Sequence, residues 1–142
     1  MNISQALKQK SRIIRDIQKE SNRLYKWNTY TVGSTVPYEA KQTYQNWLTL
    51  KEELIQLKSK IHRANEGIQE KIFKLSERKD TIESLKSLCC IEGEKITENY
   101  SNITIEVSGI TLLERDKMIK DLENEIDEIQ NEIELYNHKT QI

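Results

Sequence analysis

Apolar residues return every three or four positions through nearly every long stretch of this 142-residue chain. The series is cleanest near the C-terminus. There Leu112, Ile119, Leu122, Ile126, Ile129, Ile133 and Tyr136 keep a 3-4-3-4 rhythm that only Arg115 breaks. Such spacing puts one narrow apolar seam on a long helix, and a seam of that kind is buried only against other helices. The composition agrees: with 36% hydrophobic and 32% charged residues, one Pro and four Gly, the chain is too polar for a fold buried on all sides. Elongated helices with wet outer faces fit it better. The length suits a single domain with a real core.

Along the chain, a first helix is expected over about residues 4–26. Ile3, Leu7, Ile14, Ile17 and Leu24 form its ladder, interrupted by Lys10 and Ser21. Residues 28–36 read NTYTVGSTV, and this Thr/Val/Tyr-rich run suggests a short extended segment at about 29–32. Pro37 then suits the first turn of a second helix, where its missing N–H costs nothing. That helix, over about 37–64, keeps register through Trp47, Leu50, Leu54, Leu57, Ile61 and Ala64. After Asn65-Glu66, Gly67 can take the left-handed conformation that ends a helix. A third helix is expected over about 69–88, with Ile72, Leu75, Ile82 and Leu85 on its seam and Phe73 beside it. The competing reading is one helix from Pro37 to Leu88 with a flaw at Gly67, since an interior Gly costs only about 1 kcal/mol.

Farther on, Ile103, Ile105 and Val107 alternate with Thr104 and Glu106, the period of a half-buried strand. A lone strand leaves its backbone unpaired, so residues about 29–32 are expected to pair with about 103–107. Thr111-Leu-Leu-Glu114 matches a capping box and opens a last helix over about 111–137. The chain therefore reads as mainly α, a single helical domain over 1–142. Its expected architecture is a four-helix antiparallel bundle or coiled coil with a small two-stranded β insertion.

The net charge of −1 gives no global pull towards nucleic acid or membrane. The charge is unevenly spread, though. Residues 1–27 hold seven Lys/Arg against two Asp/Glu, and residues 112–142 hold four against nine, a local +5 and −5. These two ends can pair within one chain or between subunits. On the first helix Lys8, Arg12, Arg15, Lys19, Arg23 and Lys26 share a face nearly opposite the seam. A stripe of this kind suits phosphates of nucleic acid or anionic lipid. The chain lacks the basic excess of a nucleic-acid binder, so the reading is a solvated face, or one matched by acidic residues of another subunit.

Six of the nine aromatic residues, Tyr25, Trp27, Tyr30, Tyr38, Tyr44 and Trp47, fall within 23 residues, with Arg23, Lys26 and Lys41 among them. Flat rings beside cations can stack a nucleobase and hold its phosphate. Equally, they can plug irregular packing at helix ends. The candidate ligand-binding residues are Arg23, Trp27, Tyr30, Lys41, Trp47, Arg63 and Tyr100, and the matching ligand is a small nucleotide-like anion.

Glu123, Glu125 and Glu132 flank the last seam, at positions that set helix partner choice. Only His62 and His138 exist, far apart, so no clustered metal-ligand set is legible and no metal or cofactor is expected. Cys89 and Cys90 are adjacent, would close a disulfide only with strain, and form no CxxC motif. No neighbouring His or helix start would lower a thiol pKa, so both are expected as buried thiols at a helix end in a reducing cytoplasm. Phosphate loops, GxSxG, HExxH and dinucleotide fingerprints are missing, and glycines only at 33, 67, 93 and 109 make no glycine-rich cradle. The expectation is a protein that is not an enzyme. No stretch approaches the roughly eighteen apolar residues of a membrane span. MNISQALKQKSRII has no apolar h-region or small-residue cleavage site, so no signal peptide is expected.

The order of the pieces carries a resemblance. Ile61-His-Arg-Ala-Asn65, then Ile82-Glu-Ser-Leu85, then Tyr100-Ser-Asn-Ile-Thr-Ile-Glu-Val107, then a heptad helix ending Asn137-His-Lys-Thr140, resembles the septicolysin-like family of small bacterial and phage proteins over most of the chain. The resemblance implies a helical, coiled-coil-rich domain with a small strand insertion and an oligomer, and it supplies no catalytic residues to carry over. Two departures bear on the ends of the bundle: a shorter connection after Asn65, and His138 where an aromatic is expected. No membrane-inserting segment and no tryptophan-rich loop beside a cysteine supports a toxin reading.

These features point to a non-enzymatic, oligomeric helical binding or scaffold protein acting through coiled-coil assembly. Its expected place is the cytoplasm of a bacterium, or of a host cell if phage-encoded. Ile119, Leu122, Ile126, Ile129 and Ile133 are the expected homo-oligomer interface. The runner-up is a protein that binds or sequesters a small nucleotide-like anion. A third reading, a nucleic-acid-binding accessory protein, rests on the basic stripe alone.

Overall fold

A computed structural model describes residues 1–142. The chain is mainly helical with a small two-stranded antiparallel sheet. In order it forms α1 (Ile3–Trp27), α2 (Ala40–Ala64), a 3-10 turn (Asn65–Ile68), α3 (Gln69–Lys86), β1 (Glu94–Asn99), β2 (Asn102–Val107) and α4 (Leu112–Lys139). The chain groups into two compact units: Met1–Gly67 with Glu134–Ile142, and Ile68–Ile133.

The helix hairpin expected at Gly67 does not form. Helical backbone continues from α2 through the 3-10 turn into α3, so the helical elements make three unbroken runs rather than four separate rods. Gly67 is not in the left-handed region, which only Tyr100, Gly33 and Gly93 occupy. Its lack of a side chain serves a close approach instead, because a Cβ there would lie 2.6 Å from the Tyr136 hydroxyl oxygen. That hydroxyl donates to the Ala64 carbonyl at 2.9 Å, where the α-helix tightens into the 3-10 turn.

In the first unit, α1 lies antiparallel to α2. Ala6 and Ile13 meet Leu57 and Ile61 in a buried cluster, with Ile17, Leu54 and Ile142 packed against it. The α2 register is the expected one, but the α1 frame is not. Ala6 and Ile13 are buried, while the expected Leu7 and Ile14 remain 38% and 45% exposed. Adjacent apolar residues at 6–7 and 13–14 allow either frame by period alone. The small Ala6 lets the backbones come closer, and tight packing then selects the frame that includes it.

The chain ends meet in this unit. Ile3 N–H donates to the Thr140 carbonyl (3.1 Å) and Ile142 N–H to the Met1 carbonyl (2.9 Å). Asn2 caps α1 through the Gln5 N–H (2.8 Å), Gln5 returns the bond to the Asn2 N–H (3.0 Å), and Asn2 Nδ2 donates to the His138 carbonyl (3.1 Å). The positive start of one helix thus faces the negative end of another, the favourable polarity. Ile3, fully buried beside this junction, contributes about 1.5–3 kcal/mol.

In the second unit, α3 and α4 run antiparallel. Lys71 pairs with Glu132, Arg78 Nε lies 3.1 Å from Glu125, and Arg115 Nη1 donates to the Leu88 carbonyl at 3.1 Å. The seven-residue step from Lys71 to Arg78 on α3, and the ten to Leu88 just past its end, are matched by seven and ten along α4, so no register slip occurs. Ile68, Ile82, Ile126 and Ile129 are buried on the seam. The ion pairs are half-exposed and screened by solvent, which leaves burial of the seam as the main cohesive term.

The expected strand at residues 29–32 does not form. β2 pairs instead with β1, with Glu94 opposite Val107, Ile96 opposite Ile105 and Asn99 opposite Asn102. A two-residue connection joins them, and Tyr100 takes a positive φ of 53°. Closing so short a loop costs far less chain entropy than joining segments seventy residues apart. Every residue of both strands is exposed.

Candidate binding surfaces

In the first unit, the end of α1 and the start of α2 gather the aromatics. Asn28 N–H closes α1 on the Leu24 carbonyl (3.0 Å), and the buried Thr43 hydroxyl anchors the first turn of α2 on the Glu39 carbonyl (2.9 Å). Here the Arg23 guanidinium sits 4.4 Å above the Tyr38 ring, Lys26 5.1 Å from the Trp27 ring and Lys51 4.1 Å from the Trp47 ring. Tyr44 and Trp47 tilt against each other at 6.1 Å. A cavity of about 330 Å³ is lined by Leu24, Asn28, Ala40, Lys41, Tyr44 and Gln45. A second, of about 260 Å³, shares Leu24 and Asn28 and adds Tyr25, Thr29 and Trp47. Trp47 Nε1 is buried and meets no acceptor.

The structure thus brings Arg23, Trp27, Lys41 and Trp47 to one region, with Tyr30 on the exposed loop that follows. Two expected ligand residues do not join them. Arg63 stands near the opposite end of α2, roughly 25–30 Å along the helix from Tyr44. Tyr100 caps the hairpin of the second unit. Three of the region's cations are spent within the chain: Arg23 pairs with Glu20 at 2.7 Å besides covering Tyr38, and Lys26 and Lys51 cover their own neighbours' rings. Lys51 was missed by the sequence reading, although its position four residues after Trp47 is the helical neighbour spacing.

The basic stripe on α1 divides into two kinds of residue. Lys19 pairs with Asp16 (3.6 Å) and Arg23 with Glu20 (2.7 Å), each one turn away. Lys8, Arg12, Arg15 and Lys26 make no ion pair. Lys8 and Arg12, with Met1, Gln5 and Gln9, border an open recess of about 510 Å³.

The proposed oligomer seam on α4 is already covered. Ile126 and Ile129 are buried by the chain itself, and Ile119, Leu122 and Ile133 are half-buried. They cannot be the main surface for a second copy without opening the unit. Glu125 and Glu132 do set helix partner choice, but within the chain, through Arg78, Lys74 (3.5 Å) and Lys71. The Arg78 side chain chiefly, with help from Lys74 and against some desolvation, holds the Glu125 carboxyl below the ordinary carboxylate range.

The hairpin is the surface that sequence reasoning undervalued. Because side chains alternate, Ile96, Ile103, Ile105 and Val107 share one face with Glu94 and Glu98, while Lys95, Thr97, Thr104 and Glu106 share the other. All four aliphatic residues are 58–67% exposed. At the foot of the hairpin Leu88, Ile91, Ile110 and Cys89 border a groove of about 560 Å³ with Ile105 and Val107. Cys89 is an exposed free thiol and Cys90 half-buried, so the expected pair of buried thiols is not found. No group of three or more His, Cys, Asp or Glu side chains is gathered as a metal site. No helix is long and apolar enough to cross a membrane. No family model matches the chain, and searches of curated proteins and of solved structures find nothing similar.

Proposed function

We propose that this chain is a non-enzymatic helical scaffold or binding protein that works by self-assembly. One observation carries the reading: the hairpin presents four aliphatic side chains on a single uncovered face. A two-stranded sheet is marginal in water unless something packs on it. Contiguous exposed apolar patches mark interaction sites. The coiled-coil part of the proposal is narrower, because the α3–α4 seam closes within the chain and the contact between copies falls elsewhere. Kinship with the septicolysin-like family, whose implied character is a helical oligomer, rests on its short motifs alone. Size-exclusion chromatography with light scattering tests the reading. A mass of at least twice the 16.8 kDa chain at micromolar concentration is expected, and a clean monomer overturns it.

A second reading has its own observation, the unpartnered Trp47 Nε1 beside the cavity of about 260 Å³. An indole N–H buried without an acceptor costs free energy, and a bound acceptor would relieve it. A small anion with a flat ring would supply that acceptor, and Lys41 lines the neighbouring cavity of about 330 Å³, which shares Leu24 and Asn28. Thermal shift against a panel of nucleotides is the test. No stabilisation by any of them removes this reading.

A further inference from the structure

The two compact units carry opposite charge. Met1–Gly67 with Glu134–Ile142 holds thirteen Lys/Arg and seven Asp/Glu, a net +6, whereas Ile68–Ile133 holds nine and sixteen, a net −7. A near-neutral chain therefore carries a basic unit and an acidic unit. Such a chain attracts its own kind in solution, basic unit to acidic unit, over about a Debye length of 10 Å at 0.1 M salt.

The surfaces within those units match in detail. On the hairpin face, β2 contributes Ile103, Ile105 and Val107, while β1 contributes Glu94, Ile96 and Glu98. The face is an aliphatic strip with two carboxylates along one side, about 13 Å apart at a strand rise near 3.3 Å. On α1, Leu7 and Ile14 are exposed and lie seven residues apart, about 10.5 Å along the same ridge beside the buried seam. At 100° per residue, Ser11 and Gln18 come next on the solvent side, then Lys8 and Arg15, then Arg12. This is an apolar ridge with three cations along one side, and none of the three is paired in the chain.

We propose that the hairpin face of one copy docks on α1 of a second copy. Ile96, Ile103, Ile105 and Val107 cover the Leu7–Ile14 ridge, and Glu94 and Glu98 face Lys8, Arg12 and Arg15. The inference rests on the self-assembly reading and names its surface. The contact is heterologous: each copy supplies a different patch. Hairpin on hairpin is the worse arrangement, because it brings Glu94 and Glu98 of both copies together.

Charge reversal in trans tests it. Variants K8E/R12E/R15E and E94K/E98K change only exposed side chains. Sedimentation velocity at about 50 mM salt should show each variant alone as a monomer, and an equimolar mixture as the assembled species. In the mixture, the acidic hairpin of the first variant meets the basic α1 of the second. The wild type should shift towards monomer by about 500 mM salt. If the wild type assembles but each variant also assembles alone, or the mixture stays monomeric, the surface is wrong while self-assembly stands. If the wild type is monomeric throughout, both readings fall. A polyanion that co-purifies with the wild type, leaves in K8E/R12E/R15E, and accounts for the whole mass change also overturns the proposal.

Discussion

Replacing Gly67 by Ala sets two effects against each other at one position. Gly67 has an ordinary negative φ within helical backbone, so propensity favours Ala by about 1 kcal/mol. Against this, the new Cβ falls 2.6 Å from the Tyr136 hydroxyl oxygen, closer than the atoms can stand. The ring must move, at an overpacking cost of about 1–3 kcal/mol. Its hydrogen bond to the Ala64 carbonyl, worth about 0.5–1.5 kcal/mol net, is weakened or lost. We expect Gly67→Ala to destabilise the first unit by about 1–2 kcal/mol. In a Tyr136→Phe background the clashing oxygen is gone, and the next atom, Cζ, lies at 3.4 Å. There the same substitution should be neutral or stabilising by up to about 1 kcal/mol, a change of sign in the double-mutant cycle. Urea unfolding followed by tryptophan fluorescence suits the measurement, because Trp27 and Trp47 both report on the unit that holds Gly67 and Tyr136. Equal effects of Gly67→Ala in the two backgrounds would refute the close-approach argument.

Neighbouring isoleucines offer a sharper contrast. Ile13→Ala should cost about 2–4 kcal/mol and Ile14→Ala under about 1 kcal/mol, measured by urea unfolding; equal losses would mean the α1 frame is wrong. Asn2→Ala removes both the α1 cap and the tie to the His138 carbonyl, so a loss of about 1–2 kcal/mol is expected, with faster amide exchange at Ile3 and Ile142. No change in exchange at Ile142 would separate the cap from the tie. For Glu125, the folded carboxyl titrates below its unfolded value, so its pairing stabilises above about pH 4.3 and is lost as pH falls through the folded value. Between pH of about 6 and 3, the melting temperature of the wild type should fall more than that of Glu125→Gln, and parallel curves would count against the pairing.

Particular residues show where the sequence was informative and where it was misread. The seven-residue series Leu54, Ile61, Ile68, Leu75 and Ile82 crosses Gly67 without a change of phase. A hairpin loop has no reason to keep phase, so the uninterrupted run was legible in this series once Ile68 is included. In sequence Gly67 reads as a stop, because its close neighbour, Tyr136, is sixty-nine residues away along the chain. The aromatic group near Trp47 was legible as a cluster, since helix neighbours at three and four residues share a face. Arg63 and Tyr100 could not be assigned in or out of that cluster, because membership depends on distances between elements.

Local periodicity by itself determined that this chain is mostly helix, that α2 and α4 each carry one apolar seam, and that Ile103–Val107 alternates as a strand. Those properties follow from 100° and 180° per residue and need no partner. Tertiary structure decided the rest. It chose Ala6 and Ile13 over Leu7 and Ile14, because only packing against Leu57 and Ile61 distinguishes two frames of equal period. It paired β2 with its own neighbour, because a short loop closes at the lowest entropic cost. Seating Ala6 and Ile13 against α2 left Leu7 and Ile14 exposed on α1, since a helix buries only the face turned to its partner.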